Sequence, residues 1–289
     1  MTLTQERPQS SARSRTQSYA ALLVHAEPGR ASSHRVEVAA ALARDLGARL
    51  IGLGAETVDG IFPGSESGVA YAGEWLVLMQ EQVNNDLQAA EQGFRRDAAG
   101  AELEWRSAQD IPSRAMARAA RAADLLIASP RSEAGSTRAV DPADLVMTSG
   151  RPVLMVPDHA SPLRAKAIVV AWKDTREARR AVADALPLLR RADEVIVQAV
   201  SNADENDVAL FEISDVVANL KRHGVAARAA VAHARPSEVT NVLQQAAELA
   251  QADLIVAGAY GHSRAQEWMF GGVTYDLLRR PPCFVLMSH

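Results

Sequence analysis

A single cysteine, Cys283, is all that 289 residues provide. It excludes an internal disulfide and every zinc pattern built on paired cysteines, and it suits a reducing compartment. Aromatic residues make up only 4% of the chain, which leaves any core to Val, Leu, Ile and Ala. There is no surplus of positive charge either: 31 Lys and Arg stand against 35 Asp and Glu, a formal net charge of −4. With nothing to neutralise a run of phosphates, a dedicated nucleic-acid binder is not expected. No apolar run approaches the roughly 18 residues of a membrane span. The Gln/Ser/Arg/Thr-rich stretch of residues 1–18 lacks the hydrophobic centre of a secretory leader. A cytoplasmic chain with a disordered, solvated tail over 1–18 is the expectation. What is present is ordinary globular material, 48% hydrophobic and 23% charged, and long enough for two domains.

The two halves echo each other. Asp124-Leu125-Leu126-Ile127-Ala128-Ser129 matches Asp253-Leu254-Ile255-Val256-Ala257-Gly258, and Asp144-Leu145 matches Asp276-Leu277. Ten residues beyond each second Asp lie the apolar runs Val153-Leu154-Met155 and Val285-Leu286-Met287. Upstream, Leu22 to Ala26 pairs with Ile168 to Trp172. Three matched apolar runs in one order indicate a tandem duplication, with domains at 19–159 and 164–289 and a linker around His159-Ala160-Ser161-Pro162.

Each half alternates short, continuously apolar segments with amphipathic ones. In the second, strands are predicted at 167–172, 195–197, 226–232, 253–258 and 283–288, and helices at 176–189, 211–222, 236–249 and 273–280. The first half follows the same order, with strands at 20–26, 49–54, 102–107, 124–129 and 153–156. Its helices are predicted at 32–46, 74–98, 112–122 and 142–149. Its extra length falls mostly in the Gly/Ser-rich stretch 57–70, which reads either as an indifferent insertion or as a surface loop able to cover a cleft. Strands apolar throughout, separated by amphipathic helices, imply a parallel sheet covered on both faces. Right-handed crossovers then give an α/β chain of two five-stranded, doubly wound domains.

In such a sheet, ligands bind beyond the carboxyl ends of strands one and four. In the second half that edge carries Lys173-Asp174-Thr175 after strand one and Gly258-Ala259-Tyr260-Gly261 after strand four. Nine residues later comes Gly271-Gly272-Val273-Thr274, just ahead of a predicted helix. Glycines allow a ligand close to the backbone, a helix start favours a phosphate, and Thr274 adds a hydroxyl. The same glycines serve equally as plain chain geometry. Gly52-Leu53-Gly54 lacks the third glycine of a dinucleotide fingerprint. The seven histidines show no metal-ligand spacing. His262 and Ser263 are neighbours on a loop rather than a catalytic pair, since no Gly-x-Ser-x-Gly elbow surrounds them.

Gly258, Gly261 and Gly271 stand at the spacing Gly-x2-Gly-x9-Gly. With that motif at the end of a five-stranded α/β unit, the second half resembles the universal stress protein (Usp) family, and through the duplication so does the first. The resemblance implies strand order 3-2-1-4-5 in each domain. It also implies pairing of the two final strands, so that the domains form a pseudo-two-fold pair around Leu154, Met155, Val285 and Leu286. Association of whole chains into a homodimer is an open alternative.

For function, the resemblance implies a stress-response protein binding ATP or AMP without catalysis, with magnesium if the ligand is ATP. The residues it points to are Ala171, Trp172, Lys173, Val200, Ala257, Gly258, Gly261, Gly271, Gly272, Val273 and Thr274. Three departures stand out. Gly272 occupies the place of a Ser or Thr, and Lys173 that of an Asp. The first half carries Ser129 and Ser132 where the glycines belong, with Pro142 near the later one, so its site is read as degenerate. The competing readings are a nucleotide hydrolase or adenylating enzyme on the same sheet, for which Asp174 is the one carboxylate at hand, and a ligand-free scaffold acting through protein partners.

Overall fold

A computed structural model describes residues 18–57, 72–130, 138–158, 161–201, 206–260 and 272–289. The first half runs β1 (Ala21–His25), α1 (Arg30–Leu46), β2 (Arg49–Ala55), α2 (Ala72–Asp97), β3 (Glu102–Ala108), α3 (Pro112–Ala119), β4 (Leu125–Ala128), α4 (Pro142–Thr148) and β5 (Val153–Met155). The second runs β6 (Ala167–Trp172), α5 (Arg176–Leu189), β7 (Glu194–Ser201), α6 (Asn206–Arg222), β8 (Ala227–His233), α7 (Val239–Leu249), β9 (Leu254–Gly258), α8 (Val273–Arg279) and β10 (Phe284–Ser288). Two predicted helices are shorter than expected because one turn of each tightens to 3₁₀ geometry, at Ala120–Ala122 and at Pro236–Glu238. The helix predicted from 211 begins earlier, at Asn206.

The ten strands of the described residues share one sheet, in the order β3-β2-β1-β4-β5-β10-β9-β6-β7-β8. Read from either end, this is the expected 3-2-1-4-5 order, twice. Every pairing is parallel except the central one, where β5 and β10 run antiparallel with Leu154 opposite Leu286 and Met155 opposite Val285. The pseudo-two-fold axis expected from the resemblance therefore passes between those residues.

Alternate residues of each strand enter different cores, which is why the strands are apolar throughout. Leu22 and Val24 join Leu188, Val182, Phe94 and Ile213 beneath α1, α2, α5 and α6, while Leu23 joins Met116, Leu145, Ala247 and Leu277 on the opposite face. Gly52 and Gly54 belong to the first of these faces. A Cβ on Gly52 would lie 2.7 Å from the Phe94 ring, and one on Gly54 2.8 Å from Trp105. The pair makes room for two aromatic rings and has no ligand role in sight.

The aspartates that announced the duplication do the same job in both halves. Asp124 Oδ2 accepts hydrogen bonds from the backbone N–H groups of Ala20 (2.7 Å) and Ala21 (3.2 Å), just where β1 begins. Asp253 Oδ2 accepts from those of Arg164 (2.7 Å) and Ala165 (3.1 Å), just ahead of β6. Each carboxylate thus ties the start of strand four to the entry of strand one. Away from the central strands, Tyr19 donates to the Asp184 carbonyl (2.6 Å) and Arg191 pairs with Asp45 (2.6 Å), linking the halves.

Candidate functional site at the carboxyl edge of the second half

Strands β6 and β9 are neighbours, and Ala171 lies opposite Ala257 in their register. The chain leaves β6 through Trp172, Lys173 and Asp174, and leaves β9 at Gly258, so this edge is the switch point of the second half. The first turn of α5 stands directly over it. Thr175 caps that helix, its Oγ1 accepting from the Ala178 N–H at 3.2 Å. A Cβ on Gly258 would lie 2.4 Å from the backbone nitrogen of Ala178. Gly258 is glycine because the helix backbone packs on it, a different reason from the ligand approach read from sequence.

Beyond β9, the N–H of Ala259 donates to the Ser288 carbonyl (2.9 Å), which continues the sheet for one residue. Tyr260 adopts a left-handed conformation at φ 57°, and its N–H donates to Thr274 Oγ1 at 3.2 Å. Thr274, buried in the first turn of α8, thus helps to fix this loop through its hydroxyl oxygen. Gly272 is the N-cap of α8 in extended backbone, with no side chain to cap the helix. Val273 follows as its first residue. Val200 sits in β7, one residue past Ala199, the register partner of Trp172.

Gly261 and Gly271 lie outside the described residues, as do His262, Ser263, Trp268, Met269, Ser132, the 58–70 stretch, His159-Ala160 of the linker and the tail to residue 17.

Two groups gain meaning from the structure. Trp172 is 9% exposed, packed on the α5 and α6 face, and its indole N–H is buried without an acceptor. A buried unsatisfied donor is costly, and it asks for a partner. Glu177, which sequence reading passed over, places a buried carboxylate in the first turn of α5, the turn whose backbone packs on Gly258. Burial works against its charge, yet hydrogen bonds from Arg176, its own backbone and Thr175 hold its carboxyl below the usual range. An acid in a first helical turn was the available signal. Asp174, the carboxylate considered for catalysis, is paired with Arg179.

Among the described residues, no group of three or more His, Cys, Asp or Glu side chains forms a metal site. Nor is any helix there long and apolar enough to cross a membrane. Burial and the nearby Asp253 push the Cys283 thiol up to about 12, which leaves it unreactive. A hollow of about 330 Å³ opens at the other end of the sheet, near Arg49, Glu102, Glu104 and Arg106, whose charges pair with one another.

The model of the universal stress protein family matches residues 164–289. Among solved structures, the chain is similar to a universal stress protein from Archaeoglobus fulgidus, at 17% identity and a TM-score of 0.66 over 94% of this chain and 97% of that one. It is also similar to a functionally unknown protein from Pseudomonas aeruginosa, at 15% identity and a TM-score of 0.55 over 94% and 93% of the two chains. At such identities the likeness is one of fold, and it extends across both halves. No curated protein matches the sequence.

Proposed function

We propose that this chain, whose residues 164–289 match the model of the universal stress protein family, is a tandem stress protein whose second half holds an adenine nucleotide, AMP or ATP, without transforming it. The observation that carries the reading is the position of the Gly258-x2-Gly261-x9-Gly271 sequence. It leaves β9 at the switch point beside β6 and runs directly into α8.

The residues present suit such a ligand. The unpartnered Trp172 N–H offers a donor at the end of β6, Lys173 is an exposed side chain whose ammonium can meet a phosphate, and Thr274 brings a hydroxyl to the start of α8. Glu177 offers a carboxylate that can accept from a hydroxyl. Asp174, the carboxylate that follows β6 most closely, is already paired to Arg179, which favours holding over hydrolysis.

The test is direct. Full-length protein is purified, denatured and its released nucleotides identified by mass spectrometry, and AMP and ATP are then titrated by calorimetry. Bound adenine nucleotide is expected, with binding abolished in Gly261→Val and Gly271→Val, where a branched Cβ enters the ligand's approach. Equal affinity of wild type and both variants sinks the assignment.

A further inference from the structure

The duplication lets the two switch points be compared residue by residue. Leu22 opposes Leu125 across β1 and β4, and Ile168 opposes Leu254 across β6 and β9. The following helix begins five residues after His25 in one half and five after Ala171 in the other. His25 therefore corresponds to Ala171, Glu27 to Lys173, Arg35 to Ala181 and Ser129 to Gly258. At all four positions the first half is polar or charged, and Arg35 is the link between the others.

Arg35 projects from α1 and is 5% exposed. Its Nε and Nη2 donate to the His25 carbonyl at 3.1 and 2.9 Å, where β1 ends. Nη2 also faces Glu27 Oε1 at 3.5 Å, and Nη1 donates to Ser129 Oγ at 2.9 Å, where the chain leaves β4. One planar guanidinium thus binds both loops that must part for anything to enter between β1 and β4. A lysine, with a single point of charge, does not present this fork. The loop after β1 is also held by Ser32, whose Oγ accepts from the Glu27 N–H at 3.0 Å. A second guanidinium acts farther along the same edge. Arg138, in the segment entering α4, meets Asp86 of α2 at 2.8 Å and Glu56, at the end of β2, at 3.5 Å. In the second half, Ala181 is too short to reach either loop, and Gly258 has no hydroxyl to receive a donor.

We propose that Arg35 is a staple that closes the first half's switch-point crevice from within, so that the chain offers one ligand site and not two. The first half keeps the fold and contributes the partner strand for the second, while its own crevice is filled by its own side chain. The count of one ligand rests on the nucleotide reading above; the staple does not.

Hydrogen exchange read by mass spectrometry on the full-length chain separates the two. In Arg35→Met, which keeps the length but loses every donor, amides just after β1 and just after β4 are expected to exchange at least tenfold faster together. Segments around β6 and β9 should stay unchanged. No acceleration, or acceleration in one loop alone, overturns the staple. Arg35→Lys should loosen the Ser129 side while partly holding the His25 side. Should the variants fail to fold, phenylglyoxal on the wild type gives the answer. Arg114 and Arg118, largely exposed, should react while Arg35 does not, and equal reaction at Arg35 overturns the proposal. Calorimetry with AMP should give one equivalent per chain. Two equal sites defeat the staple, whereas no binding at all defeats the nucleotide reading and leaves exchange to decide the staple.

Discussion

Burial, reinforced by the Arg35 guanidinium, pushes the imidazole of His25 down to about 3, far below the value near 6.5 of a free histidine. Between those values the unfolded chain takes up a proton that the folded chain refuses. The contribution is therefore complete above pH 6.5 and is lost as pH falls toward 3, the loss reaching about 2 kcal/mol by pH 5. Denaturant titrations at pH 7.5 and pH 5 should show wild type losing more stability than His25→Gln, which has nothing to protonate there. Equal losses in both would mean that another group governs acid unfolding. Gly258 offers a second test at this scale. Gly258→Ala drives a Cβ into the α5 backbone, a form of overpacking that costs about 1–3 kcal/mol. A melting temperature unchanged by that substitution contradicts the close packing of α5 on β9.

Among the elements, α8 starts without a cap because Gly272 has no side chain. Its extended backbone accepts serine without strain, so Gly272→Ser should stabilise the helix by a few tenths of a kcal/mol. If the nucleotide reading holds, the new hydroxyl adds one neutral hydrogen bond, on the order of 0.5–1.5 kcal/mol. Affinity should rise by less than about tenfold in calorimetry, and an unchanged affinity means that this hydroxyl does not limit the site. The entry of β6 is tied differently, by a carboxylate. Asp253→Ala removes the acceptor of two backbone N–H groups, and hydrogen bonds to a charged group are worth about 1.5–3 kcal/mol each. Asp253→Asn keeps a carbonyl and should lose less, which ordinary denaturation curves resolve.

These cases mark what the sequence discloses. Strands and helices were legible to within a few residues, because a strand buried on both faces must be apolar throughout and its helices must not be. The repeated Asp was visible as a repeat but not as a clamp, since its partners are backbone N–H groups about 90 or more residues away, which have no sequence signature. The glycine spacing was legible, but the reason for Gly258 was not, since it depends on where α5 lands. Arg35 and Glu177 went unnoticed for a related cause: a charge in an amphipathic helix looks solvated until the fold buries it.

At the scale of the whole molecule, the central pairing is what makes two halves one object. A strand at a sheet edge leaves unpaired N–H and C=O groups, and β5 and β10 each have one such side. Joined antiparallel, with Leu154 and Leu286 opposed at the pseudo-dyad, they satisfy each other within one chain. The full-length protein therefore has no free fifth strand through which a second copy can add. Residues 164–289 alone regain that free edge, with Val285, Leu286 and Met287 along it. Because Leu154 and Leu286 are counterparts in the duplication, a second β10 can replace β5 in the same antiparallel register, Leu286 opposite its own copy. The isolated half is expected to sediment at twice its chain mass, with β10 amides as protected from exchange as they are in the full chain. A monomer at high concentration whose β10 amides exchange freely would show that the pairing depends on something particular to β5 rather than on closing an edge.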